Sequence, residues 1–456
     1  MKCIWKAILA GLFCGLLIGG GTAAAGVTAQ EAEQLKTTLT PLGAEKVGNK
    51  EGTIPAWDGG YTKPIPGFVN GGKRPDPFAD EKPLFSITVK DVDKYADKLT
   101  DGVKEMLKKY PETYRVDVYP THRTAAAPQW VYDNTFKNAT RGKLEGYSPD
   151  NVYGGIPFPI PKSGAEAIWN HMLRWRGTSI HDDFFSYFFT ADGQQVLTSD
   201  MLGELTLPYY IEGGSPEQFK EDYKGCYYTT RLRGVGPPLR AGEAAAGRVN
   251  LDGTKDEMWL YLTGQRRTRK LPNPAYDTPT TGSAGVSFFD EIDVYQGRID
   301  RFDWKIVGKQ EMYIPYNGNK SLEPTVEEAL DKHHLNPRYI RWELHRVWVI
   351  ESNLRQGNRH LAPRSRYYLD EDTWTVVLSD RWDAKGQLWR TLWAIPIVCP
   401  DIPATTPMGI FGFNDLISSA WFHGGMFNGK SEQYKIMPPY PQSTFSAEAL
   451  SGEGVR

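Results

Sequence analysis

From residue 184 to 395 the chain is a succession of short runs rich in aromatic and β-branched residues, each ended by Gly, Pro, Asp or Asn. That punctuation leaves little room for long helices and predicts strands at 184–190, 226–233, 257–263, 266–271, 298–307, 341–351, 364–369, 373–379 and 388–395. Within 341–351, Trp342, Leu344, Arg346, Trp348 and Ile350 share one face, while Arg341, Glu343, His345, Val347, Val349 and Glu351 share the other. In 388–395, Trp389, Trp393 and Ile395 oppose Leu388, Leu392 and Ala394, so both faces are largely apolar. Strands of this kind belong to a sheet covered on both sides or curved around an apolar ligand. The expected fold is therefore mainly β, an antiparallel sheet or open barrel, with hairpin turns at Gly264 and at Asp370-Glu371-Asp372.

Before this sheet-forming part, the chain reads differently. Lys2 and Lys6, an uncharged apolar run over 7–18 and the small residues Ala23-Ala24-Ala25 have the order of a secretory signal, with cleavage near Ala25. The run is shorter than the roughly 20 residues of a spanning helix, so the expectation is a mature periplasmic protein. Losing Lys2 and Lys6 leaves a net charge of about −4, which argues against nucleic acid as a partner. Cys226 and Cys399 survive cleavage. An oxidising compartment allows them to pair as a structural disulfide, and two buried thiols are the alternative.

Thr28-Ala29-Gln30-Glu31 has capping-box spacing and predicts a short helix running towards Leu39. The Gly- and Pro-rich stretch 40–83 cannot hold long helices or central strands. Its Trp, Tyr and Phe residues mark it as an ordered arm lying on the fold. Val92, Tyr95, Leu99, Val103, Met106 and Leu107 predict a helix over 89–110, and a further helix is expected over 163–175. The resulting organisation is a signal segment (1–25), an N-terminal arm with helices (26–160), a β core (161–400) and a Pro/Gly-rich C-terminal segment (401–456) whose last ten residues are expected to be disordered.

Several longer segments carry a family resemblance. They are Gly155-Ile-Pro-Phe-Pro-Ile-Pro161 leading into Glu166-Ala-Ile-Trp-Asn-His171, Met258-Trp-Leu-Tyr-Leu-Thr-Gly-Gln-Arg-Arg-Thr-Arg-Lys-Leu-Pro272, Trp304-Lys-Ile-Val-Gly-Lys-Gln-Glu-Met-Tyr-Ile-Pro-Tyr316 and Arg341-Trp-Glu-Leu-His-Arg-Val-Trp-Val349. With Thr40-Pro-Leu-Gly-Ala-Glu-Lys46 they resemble the proteobacterial domain-of-unknown-function family numbered 1329, across nearly the whole mature chain. Thr263 stands where a proline is more usual. That family is distantly similar to the LolA and LolB lipoprotein carriers. The resemblance implies an open half-barrel of lipoprotein-carrier type, closed by helices around a cavity for acyl chains. It also implies association with a resistance-nodulation-division type transporter and an outer-membrane companion.

The residues offer little catalytic signature. Asp182-Asp183, Asp290-Glu291 and Asp370-Glu371-Asp372 could each supply an acid and a base for glycoside hydrolysis, but exposed turn residues are the better account of each cluster. No Gly-x-Ser-x-Gly elbow, phosphate loop, Cys-x-x-Cys or His-Glu-x-x-His occurs, so no cofactor or metal is expected. His345 beside Glu343 and Arg341 reads as part of a charged cross-strand ladder. The candidate groove is the face carrying Met258, Leu260 and Leu262 on one strand and Trp342, Leu344, Trp348 and Ile350 on another. Arg266, Arg267, Arg269 and Lys270 are candidates for a headgroup, a transporter face or a membrane surface, unless they only guard an edge strand. The function expected is carriage of a lipid or other hydrophobic molecule. A periplasmic hydrolase acting on carbohydrate or lipid and a structural envelope adaptor are the alternatives.

Overall fold

The computed structural model describes residues 26–272, 274–407 and 409–451. The signal segment lies outside the described residues. The main strands are β1 (Ser179–Phe189), β2 (Gln195–Thr206), β3 (Cys226–Gly236), β4 (Ala244–Asn250), β5 (Glu257–Leu262), β6 (Arg267–Lys270), β7 (Phe302–Pro315), β8 (Trp342–Leu354), β9 (Arg364–Asp370), β10 (Val376–Trp382), β11 (Leu388–Ala394), β12 (Phe411–Asp415) and β13 (Trp421–Met426). They form two antiparallel meanders, β1 to β6 and β7 to β13. The meanders become one sheet because β13 pairs back onto β1, with Trp421 opposite Phe189 and Phe422 opposite Phe188. The two outer strands are then β6 and β7, which do not pair with each other, so the sheet stays an open half-barrel. Residues 271–301 link these two edges.

The two halves differ in filling. In β8, Val347, Val349 and Ile350 are at most 2% exposed, although they point to opposite faces. Each such aliphatic contributes about 1.5–3 kcal/mol of burial, and both sides of this half are solid core. Helix α1 (Asp101–Lys109) packs on β10 and β11. Helix α2 (Gln129–Arg141) packs on the short helix Ala29–Ala32, and α3 (Gly164–Met172) packs on β7 and β8. The arm lies on β8 to β10. Trp374 donates its indole N–H to the Leu42 carbonyl, and Arg123 joins the Glu45 carbonyl to both oxygens of Asp372.

Several expectations are corrected. The helix expected over 89–110 is broken: Val89–Asp91 and Ala96–Lys98 are single 3-10 turns, and α1 starts only after Thr100. Thr100 caps it by accepting from the Val103 N–H. Gly102 lets the first turn approach buried Asp380, whose Oδ1 accepts from the Gly102 N–H at 3.1 Å. A Cβ there would sit 2.3 Å from that oxygen. The Thr28 capping box forms as expected, but its helix is short. β12 and β13 lie within the stretch read as a C-terminal segment, so the sheet runs past residue 400. Ala447–Ser451, among the last ten residues, forms a short helix, and Leu450 packs on Ala244, Ala246 and Tyr261. Cys226 and Cys399 are each a buried thiol, not halves of a bridge. Burial pushes both thiols up to about 12.

Candidate ligand cavity

Alternate residues of β1 to β5 supply most of one wall. Asp182, Phe184 and Ser186 of β1, Ser199, Met201 and Leu205 of β2, Tyr228, Thr230 and Leu232 of β3, Ala245, Gly247 and Val249 of β4, and Met258 and Leu260 of β5 all face one space. Phe411, Phe422 and Phe427 close one end. The linking segment, through Ala275, Phe289, Ile292 and Ile299, closes the top. The cavity volume is about 390 Å³, within the range of small-molecule sites.

Small residues make this space. Gly203 pairs with Asp182, and Gly247 with Met258. A Cβ on Gly247 would come 3.0 Å from the Met258 methyl, and one on Gly203 would collide with Oδ1 of Asp182. The outer face of β4 and β5 is covered separately, by the C-terminal helix.

Buried ion pairs pin the linking segment across the sheet. Asp290 Oδ2 lies 3.2 Å from Arg381 of β10 and 2.9 Å from His360. Glu291 binds Arg390 of β11 at 2.7 Å. Asp293 meets Arg174 and Arg176. Asp290 and Glu291 are 3% and 1% exposed, so the exposed-turn reading of this pair is corrected. The Arg381 guanidinium and the hydrogen bond with His360 hold the Asp290 carboxyl well below the usual carboxylate range against the opposing cost of burial.

The Asp370-Glu371-Asp372 turn is corrected in the same way. It is at most 2% exposed and belongs to a second buried network. Glu371 meets Arg346 and Lys309, each at 3.0 Å, Asp372 meets Arg123 at 2.6 Å, and Glu343 lies 3.0 Å from His345 Nε2. His345, Asp370 and Asp372 offer ligand atoms within 4.8 Å of one another. Arg123 already engages both oxygens of Asp372, however, which makes Asp372 part of a charge network.

Of the residues expected to form a groove, Met258 and Leu260 line the cavity, and Leu262 lies beyond its wall. Leu344 and Ile350 are packed in core, and Trp342 borders a separate void of about 40 Å³. Trp348 stacks on Trp374 with ring centroids 6.0 Å apart. The second half of the expected groove is therefore filled: β8 has large apolar residues on both faces, and large residues leave no space. Arg266, Arg267, Arg269 and Lys270 are exposed on the edge strand and its turn, away from the cavity wall. Lys270 pairs with Glu257 at 2.7 Å. No helix of the described residues is long and apolar enough to cross a membrane.

Comparison with known proteins adds the lineage. A putative outer membrane lipoprotein-sorting protein domain from Vibrio parahaemolyticus aligns over 64% of this chain and 98% of its own, at 14% identity and TM-score 0.42. A DUF1329 family protein from Desulfovibrio piger aligns over 63% and 97%, at 12% identity and TM-score 0.41. An uncharacterized protein of Pseudomonas aeruginosa is 38% identical over 445 residues, 95% of each chain. The family profile described as protein of unknown function (DUF1329) matches residues 86–451. With most of its length matched in this way, the chain belongs to the DUF1329 family.

Proposed function

We propose that the protein binds and carries a lipid or other hydrophobic molecule in the β1–β5 cavity. The observation that carries this reading is the cavity itself, about 390 Å³ between the sheet and a pinned linking segment, with Phe184, Phe289, Leu232, Leu260, Met201 and Met258 in its wall. Burial of about ten methylenes there at roughly 0.8 kcal/mol each suffices for useful affinity after the cost of immobilisation, without any catalytic group. The proposed setting is the periplasm, on the strength of the export signal in residues 1–25. There the protein would serve an envelope export transporter of the resistance-nodulation-division type and an outer-membrane companion. Arg266, Arg267, Arg269 and Lys270 are proposed to meet that partner or an anionic headgroup, since they stand exposed at the sheet edge.

Native mass spectrometry with lipid extraction of the mature protein tests the reading. The parent is expected to carry a bound apolar species, and Leu260→Glu to lose it while remaining folded. A parent that extracts empty and takes up no apolar probe would overturn carriage. Turnover of a carbohydrate or lipid ester would instead favour the hydrolase.

A further inference from the structure

The cavity wall carries one carboxyl that the packing does not explain. Asp182 faces inward from β1, in a cross-strand row with Gly203 of β2, Leu232 of β3, Ala245 of β4 and Leu260 of β5. Gly203 leaves the space its carboxylate occupies: a Cβ there would lie 1.8 Å from Oδ1. An aliphatic residue at 182 would complete an apolar stripe, yet an acid stands there.

Cations near this point are engaged elsewhere. Lys430 is shared by Asp183 and Asp200, at 2.7 and 2.5 Å. Arg231 pairs with Glu204 at 2.5 Å, and Arg176 with Asp293 at 2.7 Å. Arg248, the basic residue on the wall of β4, donates to the carbonyls of Phe445 and Gln442. Among the described residues, no Lys, Arg or His lies within ion-pair distance of Asp182. The charged and titratable groups facing it are Asp183, Tyr228, Tyr434 and Tyr440. Burial, reinforced by the neighbouring Asp183 charge, pushes the Asp182 carboxyl up to about 7. A lone carboxyl in an apolar site is costly unless something supplies a donor or a positive charge.

We propose that the cargo supplies it: Asp182 receives the head of an amphiphile that donates hydrogen bonds, with a protonated long-chain amine held most tightly and an anionic amphiphile such as a fatty acid disfavoured. This rests on the cavity being the cargo site. The apolar tail lies along Leu232, Leu260 and Met258, and the head sits over the Gly203 gap. Seating an ammonium there stabilises the ionised carboxylate, so amine binding near neutral pH releases protons, whereas binding of a neutral alcohol does not.

The test uses the mature protein loaded with a neutral, polarity-sensitive apolar dye, which is then displaced by hexadecylamine, hexadecanol or hexadecanoate. In the parent, the amine is expected to displace the dye at about tenfold lower concentration than hexadecanoate, the margin of one charge-assisted contact. Asp182→Asn should bring the two within about threefold. Gly203→Ala, which pushes the carboxyl aside without removing it, should shift selectivity in the same direction. A hexadecanoate that competes as well as the amine in the parent, or a preference unchanged in Asp182→Asn, overturns the head-group assignment and leaves carriage standing. Failure of the dye and of all three chains to bind overturns the cavity reading, and the assignment with it.

Discussion

His171 shows how fully this interior fixes the chemistry of a single side chain. The Val376 N–H donates to Nδ1 at 2.9 Å, and Nε2 stands 3.0 Å from the Tyr295 carbonyl, so the ring is neutral with its hydrogen on Nε2. Burial, and after it the Arg174 guanidinium, push its pKa down to about 3. The unfolded chain takes up a proton near 6.5 and the folded one does not, so this residue costs stability as pH falls from 6.5 towards 3. At pH 5 the loss is about 2 kcal/mol. His171→Gln should reduce the drop in unfolding free energy between pH 7 and 5 by about that amount. Asp182 and Asp256, both raised to about 7 by burial, act with the opposite sign, and subtracting parent from variant isolates the histidine. Parallel slopes in urea unfolding would refute the assignment. Cys226 offers a second check, because a buried, protonated thiol reacts only when exposed. A thiol reagent added without reductant should modify it after denaturation and leave it untouched in the native protein.

Among the elements, the linking segment depends on charges with no access to water. Arg390→Leu leaves buried Glu291 with only the more distant Arg381, at 3.8 Å, and a loss of up to about 3–5 kcal/mol is expected. Arg390→Leu combined with Glu291→Leu should recover most of it, since an apolar pair of similar volume replaces a pair that gains little net energy. Thermal melting of the two variants decides this, and equal destabilisation would mean that the pair does not hold the segment. Trp348→Glu belongs to the same scale. On β8 it disturbs packing against Trp374, so it should lower stability by about 1–3 kcal/mol while the folded fraction binds an apolar ligand like the parent.

The same contrast explains what was legible in the sequence. β8, β9 and β11 were readable because apolar residues dense on both faces fill a core. β2 and β4 were not: Ser199-Asp200-Met201-Leu202-Gly203 and Ala244-Ala245-Ala246-Gly247 lack the bulk that marks a strand. These two strands wall the cavity, and the lack of bulk is what makes the space. β1 was read only from Phe184 onward because His181-Asp182-Asp183 looks like a turn, yet Asp182 is the residue aimed inward. A cavity wall rich in small and polar residues thus hides from any pattern tuned to cores, and the strongest apolar strand pointed to the filled half.

Taken whole, the molecule should behave as a vessel whose stability depends on its contents. A ligand present at 100 times its dissociation constant should add about 2.7 kcal/mol. Extracting the bound species with detergent or solvent should therefore lower the melting temperature, and adding an apolar chain back should restore it. An unchanged melting temperature would show that the cavity had nothing to lose.

The pairing of β13 with β1 also sets an order of events in time. Phe189 must meet Trp421, so the strand that opens the sheet cannot be finished until almost the entire chain has emerged. Until then, β1 presents an unpaired edge bearing Phe185 and Tyr187, the kind of surface that recruits other chains. Contacts this distant in sequence also slow folding. A chain ending before Trp421 would keep that edge permanently open, and it should self-associate even though every residue of β1 to β6 is present. Light scattering during refolding of such a truncation, against a full-length control, would show whether the last strand acts as the latch of the sheet.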